Sequence, residues 1–305
     1  MKLYKITLRP QSAFMTPLKG DTLFGQLCWQ IRESHGNDFL EQLLEGYTDQ
    51  RPFAVISDAF PHNSLPMPSV PMHIKTSQSA LSQIKKLKKI KYVSIEKLQQ
   101  PLSQWLNEDT IDANGQAIPF QRMHNSINRL TNSTTGDAFS PFTLNKYAYT
   151  AGTLIDCYVA LDEERLQLQA FEKMVETIGL IGFGRKANTG HGKFSVQSLN
   201  SVEPHHPHAN AYLTLAPARV IPQGWIAEKS FYQLFTRFGR HGIQLVHQQP
   251  FKQPVMMMDT GALLTPYSYQ NVPFIGMGLK GVSKVQPNAV QQAYSPIIGI
   301  QLDQE

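Results

Sequence analysis

The chain has 305 residues, of which 41% are hydrophobic and 17% charged, with a formal net charge of +5. That length suits two domains better than one, and the apolar share is large enough for packed cores, which excludes disorder as the dominant state. The surplus of cations suits a polyanion partner without demanding one.

Two cysteines, Cys28 and Cys157, both lie in apolar runs. They read as small core residues of a reducing compartment, not as a disulfide framework or a metal site. The first nine residues alternate like a strand rather than forming the apolar core of a signal peptide, and no run approaches the roughly 18 apolar residues of a membrane span. The expectation is a soluble, cytoplasmic protein with no membrane partner.

In chain order, Tyr4, Ile6 and Leu8 alternate with Lys5, Thr7 and Arg9, which predicts a half-buried strand. A helix follows, with Asp21 or Thr22 as cap, Leu23, Phe24, Leu27, Cys28 and Ile31 at helical spacing, and Gly36 as the stop. Residues 53–57 form a second strand. Ile155, Cys157, Val159 and Leu161 mark a third. Asp162 then caps a helix bearing Leu168, Phe171, Val175 and Ile178, which ends at Gly179, and 194–198 is the fourth strand. Strand, helix, strand, a long insertion, then strand, helix, strand is the split βαβ, or ferredoxin-like, pattern.

The insertion runs from about 59 to 152. It begins with Pro61, Pro66, Pro68 and Pro71, continues through a lysine-rich amphipathic stretch at 85–91, and offers a hairpin over 105–121 turning at Asn114-Gly115. A polar tract over 122–136 follows. A connection of this length inside a compact domain is usually functional. The composition break at 203–208, with His205, His206 and His208, reads as a solvated interdomain linker; no ligand stands at metal spacing from it. From about 210 to 305 the chain predicts a second α+β domain. Its strands fall near 212–216, 255–258 and 297–302, with one helix near 229–238 and a glycine cluster at Gly276, Gly278 and Gly281.

The segment GLIGFGRKANTGHGK (179–193) holds five glycines together with Arg185, Lys186 and Lys193. Glycine lets backbone amides approach phosphate, and the cations neutralise it. The spacing fits neither a Walker loop nor a dinucleotide fingerprint, and the loop leaves a helix to enter a strand, which disfavours small-nucleotide chemistry. A tight turn with incidental charge explains the composition about as well. Catalysis finds little support: no Asp-Asp pair stands ready to hold two metals, and the acidic cluster 162–164 reads as a helix start. His124 and His191 lie in basic or polar surroundings, where a hydrogen-bonding contact is commoner than a general base.

Four motifs in order carry a resemblance: PLKGDTLFGQLCW (17–29), PFAVISDAFP (52–61), HNSINRLT (124–131) and the glycine loop. Together they resemble the fourth subunit of the Csm complex, a repeat-associated mysterious protein (RAMP) of type III-A CRISPR systems, over essentially the whole chain. The resemblance implies two ferredoxin-like RAMP domains, 1–202 and 210–305, with no catalytic role and no cofactor. It also implies a grip on the repeat-derived 5′ handle of the crRNA, and docking to the large polymerase-like subunit and the backbone RAMP subunit. It places a thumb-like insertion near 122–150. Expected phosphate contacts are Lys19, Arg129, Arg185, Lys186 and Lys193; Gly182 and Gly184 would bring backbone close, and His124, Asn125, Asn188, Thr189 and His191 would bond sugar or base edges. Phe139 and Phe142 are stacking candidates. Two rivals stay open: a guide-RNA-processing endoribonuclease and a docking scaffold without RNA contact.

Overall fold

Lys2–Pro10 is a strand, β1, of the computed structural model; Tyr4, Ile6 and Leu8 on one face and Leu3 and Thr7 on the other are all buried, so the strand expected to be half-buried is covered on both sides. The structure describes residues 1–71, 74, 88–106, 117–134, 136–241 and 251–303. Helix α1 (Gly20–His35) follows, with Leu23, Phe24, Leu27 and Ile31 buried, and Gly36 ends it at φ 90° with its amide bonded to the Arg32 carbonyl. The helix does not start on a side-chain cap of its own. The carboxylate of Asp58 accepts the Gly20 amide at 2.9 Å, so the orphan donor is satisfied from 38 residues away. A second helix, α2 (Asn37–Leu44), turns the chain into β2 (Ala54–Ile56).

The insertion opens with β3 (Phe60–Pro61), β4 (Ser64–Pro66) and β5 (Tyr92–Ser94), and its Phe60, Leu65, Val93, Leu102 and Trp105 all enter the main core. Its proline-rich part is therefore core material, not a loop. The turn of the hairpin expected over 105–121, and positions 85–87 of the lysine-rich stretch, lie outside the described residues. The strand β6 (Ile118–His124) pairs instead with β7 (Phe142–Ala148). Next come β8 (Ile155–Leu161), buried along its whole length, helix α3 (Leu168–Ile181) and β9 (Phe194–Ser201). Asp162 caps only a turn: its carbonyl accepts from Arg165 and Leu166, and α3 begins six residues later behind Gln167. Gly179 is not the stop; α3 runs on to Ile181 and Gly182 is its cap.

Neighbouring strands of the first sheet are antiparallel in the order β2–β8–β1–β9, with β3 also on β8. The second half contributes β10 (Ala211–Thr214), β11 (Leu234–Arg237), β12 (Val255–Met258), β13 (Leu263–Leu264), β14 (Phe274–Leu279) and β15 (Gln291–Ile300). Its main sheet runs β13–β10–β15–β14, and β11 pairs with β12 alongside. The helix expected near 229–238 is absent; a short 3-10 turn, Ala227–Lys229, and then β11 occupy that stretch. Phe231, Leu234, Phe235 and Phe238 do recur at helical spacing, but Leu234 and Phe238 face solvent, and pairing with 255–258 overrides the pattern. Gly276 and Gly278 lie within β14 rather than in a loop.

The two halves share a core. Ala211, Leu213, Leu215, Tyr294, Ile298 and Ile300 belong to the same buried cluster as Leu3, Ile56, Val159 and Phe171. On β15, the Gln292 side-chain amide bonds both the amide (3.0 Å) and the carbonyl (2.7 Å) of Ile56, satisfying the edge of β2. Asp58 also accepts from Lys19 Nζ at 2.7 Å and from the Thr260 hydroxyl, while Asp21 meets Arg237 at 2.6 Å and Gln291 at 3.0 Å. The 203–208 stretch is packed, not a free linker: His205 bonds the Tyr269 hydroxyl and, at 2.7 Å, the Val272 carbonyl. Among the described residues, no helix is long and apolar enough to cross a membrane.

Candidate nucleic-acid interface

Residues 11–16, the segment leaving β1, are clamped between two elements that are far apart in sequence. On one side the glycine loop lies against it. Gln11 N–H donates to the Lys193 carbonyl (2.8 Å), Gly192 N–H to Ala13 (2.9 Å), and Arg185 N–H to Thr16 Oγ1 (3.1 Å). On the other side Phe14 and Tyr147 exchange backbone bonds of 2.8 Å in both directions, which ties β7 to the same segment. The β6–β7 hairpin and the glycine loop are thus neighbours because both grip 11–16.

The loop is internally built. Lys186 sits at φ 62°, and its carbonyl accepts from Thr189 N–H, Thr189 Oγ1 and His191 N–H around a 3-10 turn, Ala187–Thr189. Gly182 and Gly184 are among the glycines this folding requires. At Gly182 (φ 116°) a Cβ would lie 2.4 Å from the His191 carbonyl oxygen, and at Gly184 (φ 75°) it would lie 2.8 Å from Thr16. Their role in the structure is closure of the loop on itself and on 11–16. Arg185, Lys186, Asn188 and Thr189 line the open side of the loop, and Lys193 is half-buried.

The hairpin register pairs Phe120 with Lys146, Arg122 with Leu144 and His124 with Phe142, so these six residues share one face. The His124 ring stacks on Phe142, 5.9 Å between centroids and 21° between planes. Lys146 is only 5% exposed, and its ammonium makes no hydrogen bond or ion pair among the described residues. Electrostatics join this face to the loop. Burial, then the cations of Lys146, Arg122 and Lys186, holds the His124 pKa below the usual imidazole value. For His191, burial and Lys146, with His124 adding to them, outweigh its hydrogen bonds and shift it in the same direction. No ion pair among the described residues engages Arg122, Lys146, Arg185, Lys186 or Lys193. A cationic cluster of this kind attracts anions, and the half-exposed aromatics Phe120 and Phe142 beside it offer flat apolar faces.

The structure brings together His124, Phe142, Lys186 and His191 from the expected set and adds Arg122, Phe120 and Lys146, which local sequence did not single out. Lys146 was legible only as one position of an alternating strand, Phe142, Leu144, Lys146. Lys19 stands apart: burial lowers its pKa, but Asp58, Asp259 and Asp21 more than offset this and hold it above the usual lysine value. Its charge is engaged by Asp58 at 2.7 Å and Asp259 at 3.8 Å, a tie between the two halves rather than an open phosphate contact. Asn125 and Arg129 are exposed in the turn beyond β6, and Phe139 closes a short 3-10 turn before β7.

The fold defines an α+β class, two antiparallel sheets sharing a core, with a basic hairpin beside a glycine loop. The same fold occurs in solved chains of Csm assemblies. A chain of a Csm1–Csm4 cassette solved with pppApA superposes with a TM-score of 0.64 at 15% identity, covering 100% of both chains. One from the cassette solved with cA4 gives 0.63 at 16%, again over 100% of both. A chain of the Csm3–Csm4 subcomplex of the type III-A interference complex gives 0.61 at 11%, over 99% of this chain and 100% of the other. Csm4 is the component common to these assemblies. No protein-family model and no curated protein sequence matches the chain.

Proposed function

We propose that this chain is a non-catalytic, cytoplasmic RNA-binding subunit of a type III-A Csm complex. It would hold the repeat-derived 5′ handle of the crRNA and dock the large polymerase-like subunit and the backbone RAMP subunit. The observation that carries the RNA half is the set of cations Arg122, Lys146, Arg185, Lys186 and Lys193, unpaired among the described residues, on the hairpin and the loop that 11–16 ties together. The assembly half is supported by end-to-end likeness of fold to chains from Csm1–Csm4 and Csm3–Csm4 assemblies. The strand order β2–β8–β1–β9 supports reading the first half as ferredoxin-like, and the 122–150 tract, as a hairpin, suits a thumb. The second half is read as a divergent copy of the same domain, on the weaker ground of its antiparallel sheet.

Guide-RNA processing has one observation in its favour, and it is not at His124 or His191, neither of which has an orienting carboxylate among the described residues. The buried Asp156 holds His62 Nδ1 at 2.9 Å, with Lys5 at 3.7 Å, the arrangement of a carboxylate-backed base. Co-purifying the chain with its genomic neighbours and sequencing the bound RNA tests both readings. A uniform repeat-derived 5′ end supports the first. Discrete cleavage of repeat RNA by the pure chain, abolished in His62→Ala, would replace it with the second.

A further inference from the structure

Two histidines, His124 and His191, stand among the cations of the hairpin and the loop. His124 Nε2 is shielded from solvent and has no hydrogen-bond partner, while its ring is held by Phe142. His191 Nδ1 lies 3.2 Å from Thr189 Oγ1. We propose that RNA phosphate binds this cationic cluster together with protons taken up by His124 and His191, so that affinity for single-stranded RNA rises as pH falls. The proposal rests on the RNA-binding reading above.

The groups facing His124 are Arg122 on its own strand, Lys146 on the paired strand, and Lys186 on the loop; those facing His191 are Lys146 and His124. All are cationic or become so, and among the described residues no carboxylate is with them. In the free protein, burial and this repulsion keep both imidazoles neutral near pH 7. A phosphate among the cations cancels the repulsion and places an opposite charge beside both imidazoles. The protonated imidazole is then favoured, because a nearby opposite charge stabilises the charged form. The sign follows from linkage. If the bound state carries more protons than the free state, binding strengthens as pH falls, by up to about tenfold per pH unit for each proton taken up.

The test uses the full chain and a single-stranded oligoribonucleotide at constant ionic strength, titrated between about pH 8 and about pH 6, where histidine changes charge. Proton uptake is counted by calorimetry in two buffers of different ionisation enthalpy. The wild type should bind more tightly at the lower pH, with net proton uptake and a steeper dependence on salt. The His124→Gln/His191→Gln variant should lose the pH dependence and the uptake together. If that variant does not fold, His191→Gln alone, on the loop, should lose about half of the uptake. Binding by the wild type that ignores pH, or an unchanged pH dependence in the variants, overturns the proposal and leaves the RNA reading standing. Absence of RNA binding at every pH overturns both.

Discussion

Asp58 gathers three donors from two separate parts of the chain: the Lys19 ammonium and Gly20 amide at the start of α1, and the Thr260 hydroxyl. It is 4% exposed, so its charge is tolerable only with those partners in place. Removing it leaves Lys19 half-buried beside Asp259 at 3.8 Å and strips α1 of its cap. Asp58→Ala should therefore destabilise the fold by about 3 kcal/mol, the low end for breaking a buried pair. A urea midpoint shifted by much less, at unchanged cooperativity, would mean the network is dispensable. None of this was legible locally, because Asp58 lies 38 residues beyond the helix start it caps.

At the scale of elements, the glycine loop makes a sharper prediction. Replacing Arg185, Lys186 and Lys193 with Ala removes up to three phosphate contacts, and the slope of log affinity against log salt should fall by about 0.7 for each. Adding Lys146→Ala on the hairpin should lower it by about 0.7 again if hairpin and loop form one site. Gly182→Val should weaken binding without removing charge, since a Cβ there meets the His191 carbonyl and φ 116° excludes a β-branched residue. A salt titration of RNA binding, with melts alongside, separates these effects; an unchanged slope in a folded triple variant reduces the loop to an ordinary turn. The strands and helices of the first sheet were readable because periodicity is local: β1, α1, β8, α3 and β9 fall on the expected stretches. The β6–β7 pairing was not, because Asn114-Gly115 is a strong local hairpin signal whereas the observed partners of 118–124 lie at 142–148. Without that register, Lys146 had no reason to stand out, and the meeting of His124 with Lys186 depends on 11–16 holding both elements.

At the scale of the whole molecule, the composition break at 203–208 suggested two domains on a linker, yet the packing argues for one cooperative unit. β15 is buried at all ten positions and supplies Tyr294, Ile298 and Ile300 to the core built on β1, β2 and β8. The Tyr294 hydroxyl donates to the Tyr47 carbonyl at 2.6 Å, Asp58 N–H donates to the Leu215 carbonyl at 2.9 Å, and Gln292 closes the edge of β2. Unfolding either half alone would expose this shared apolar surface and orphan these buried polar groups. Two tryptophans allow a direct reading. Trp105 is fully buried in the shared core, whereas Trp225 packs edge-on against Tyr212 in the separate cluster of the second half. In a Trp29→Phe background, variants keeping only Trp105 or only Trp225 should show coincident urea transitions, the mark of a two-state molecule. The stretch from 203 onward, expressed alone, should lack a cooperative transition, since most of the partners of β15 would be missing. Two separated midpoints, or an independently folding second half, would restore the two-domain organisation that the sequence alone suggested.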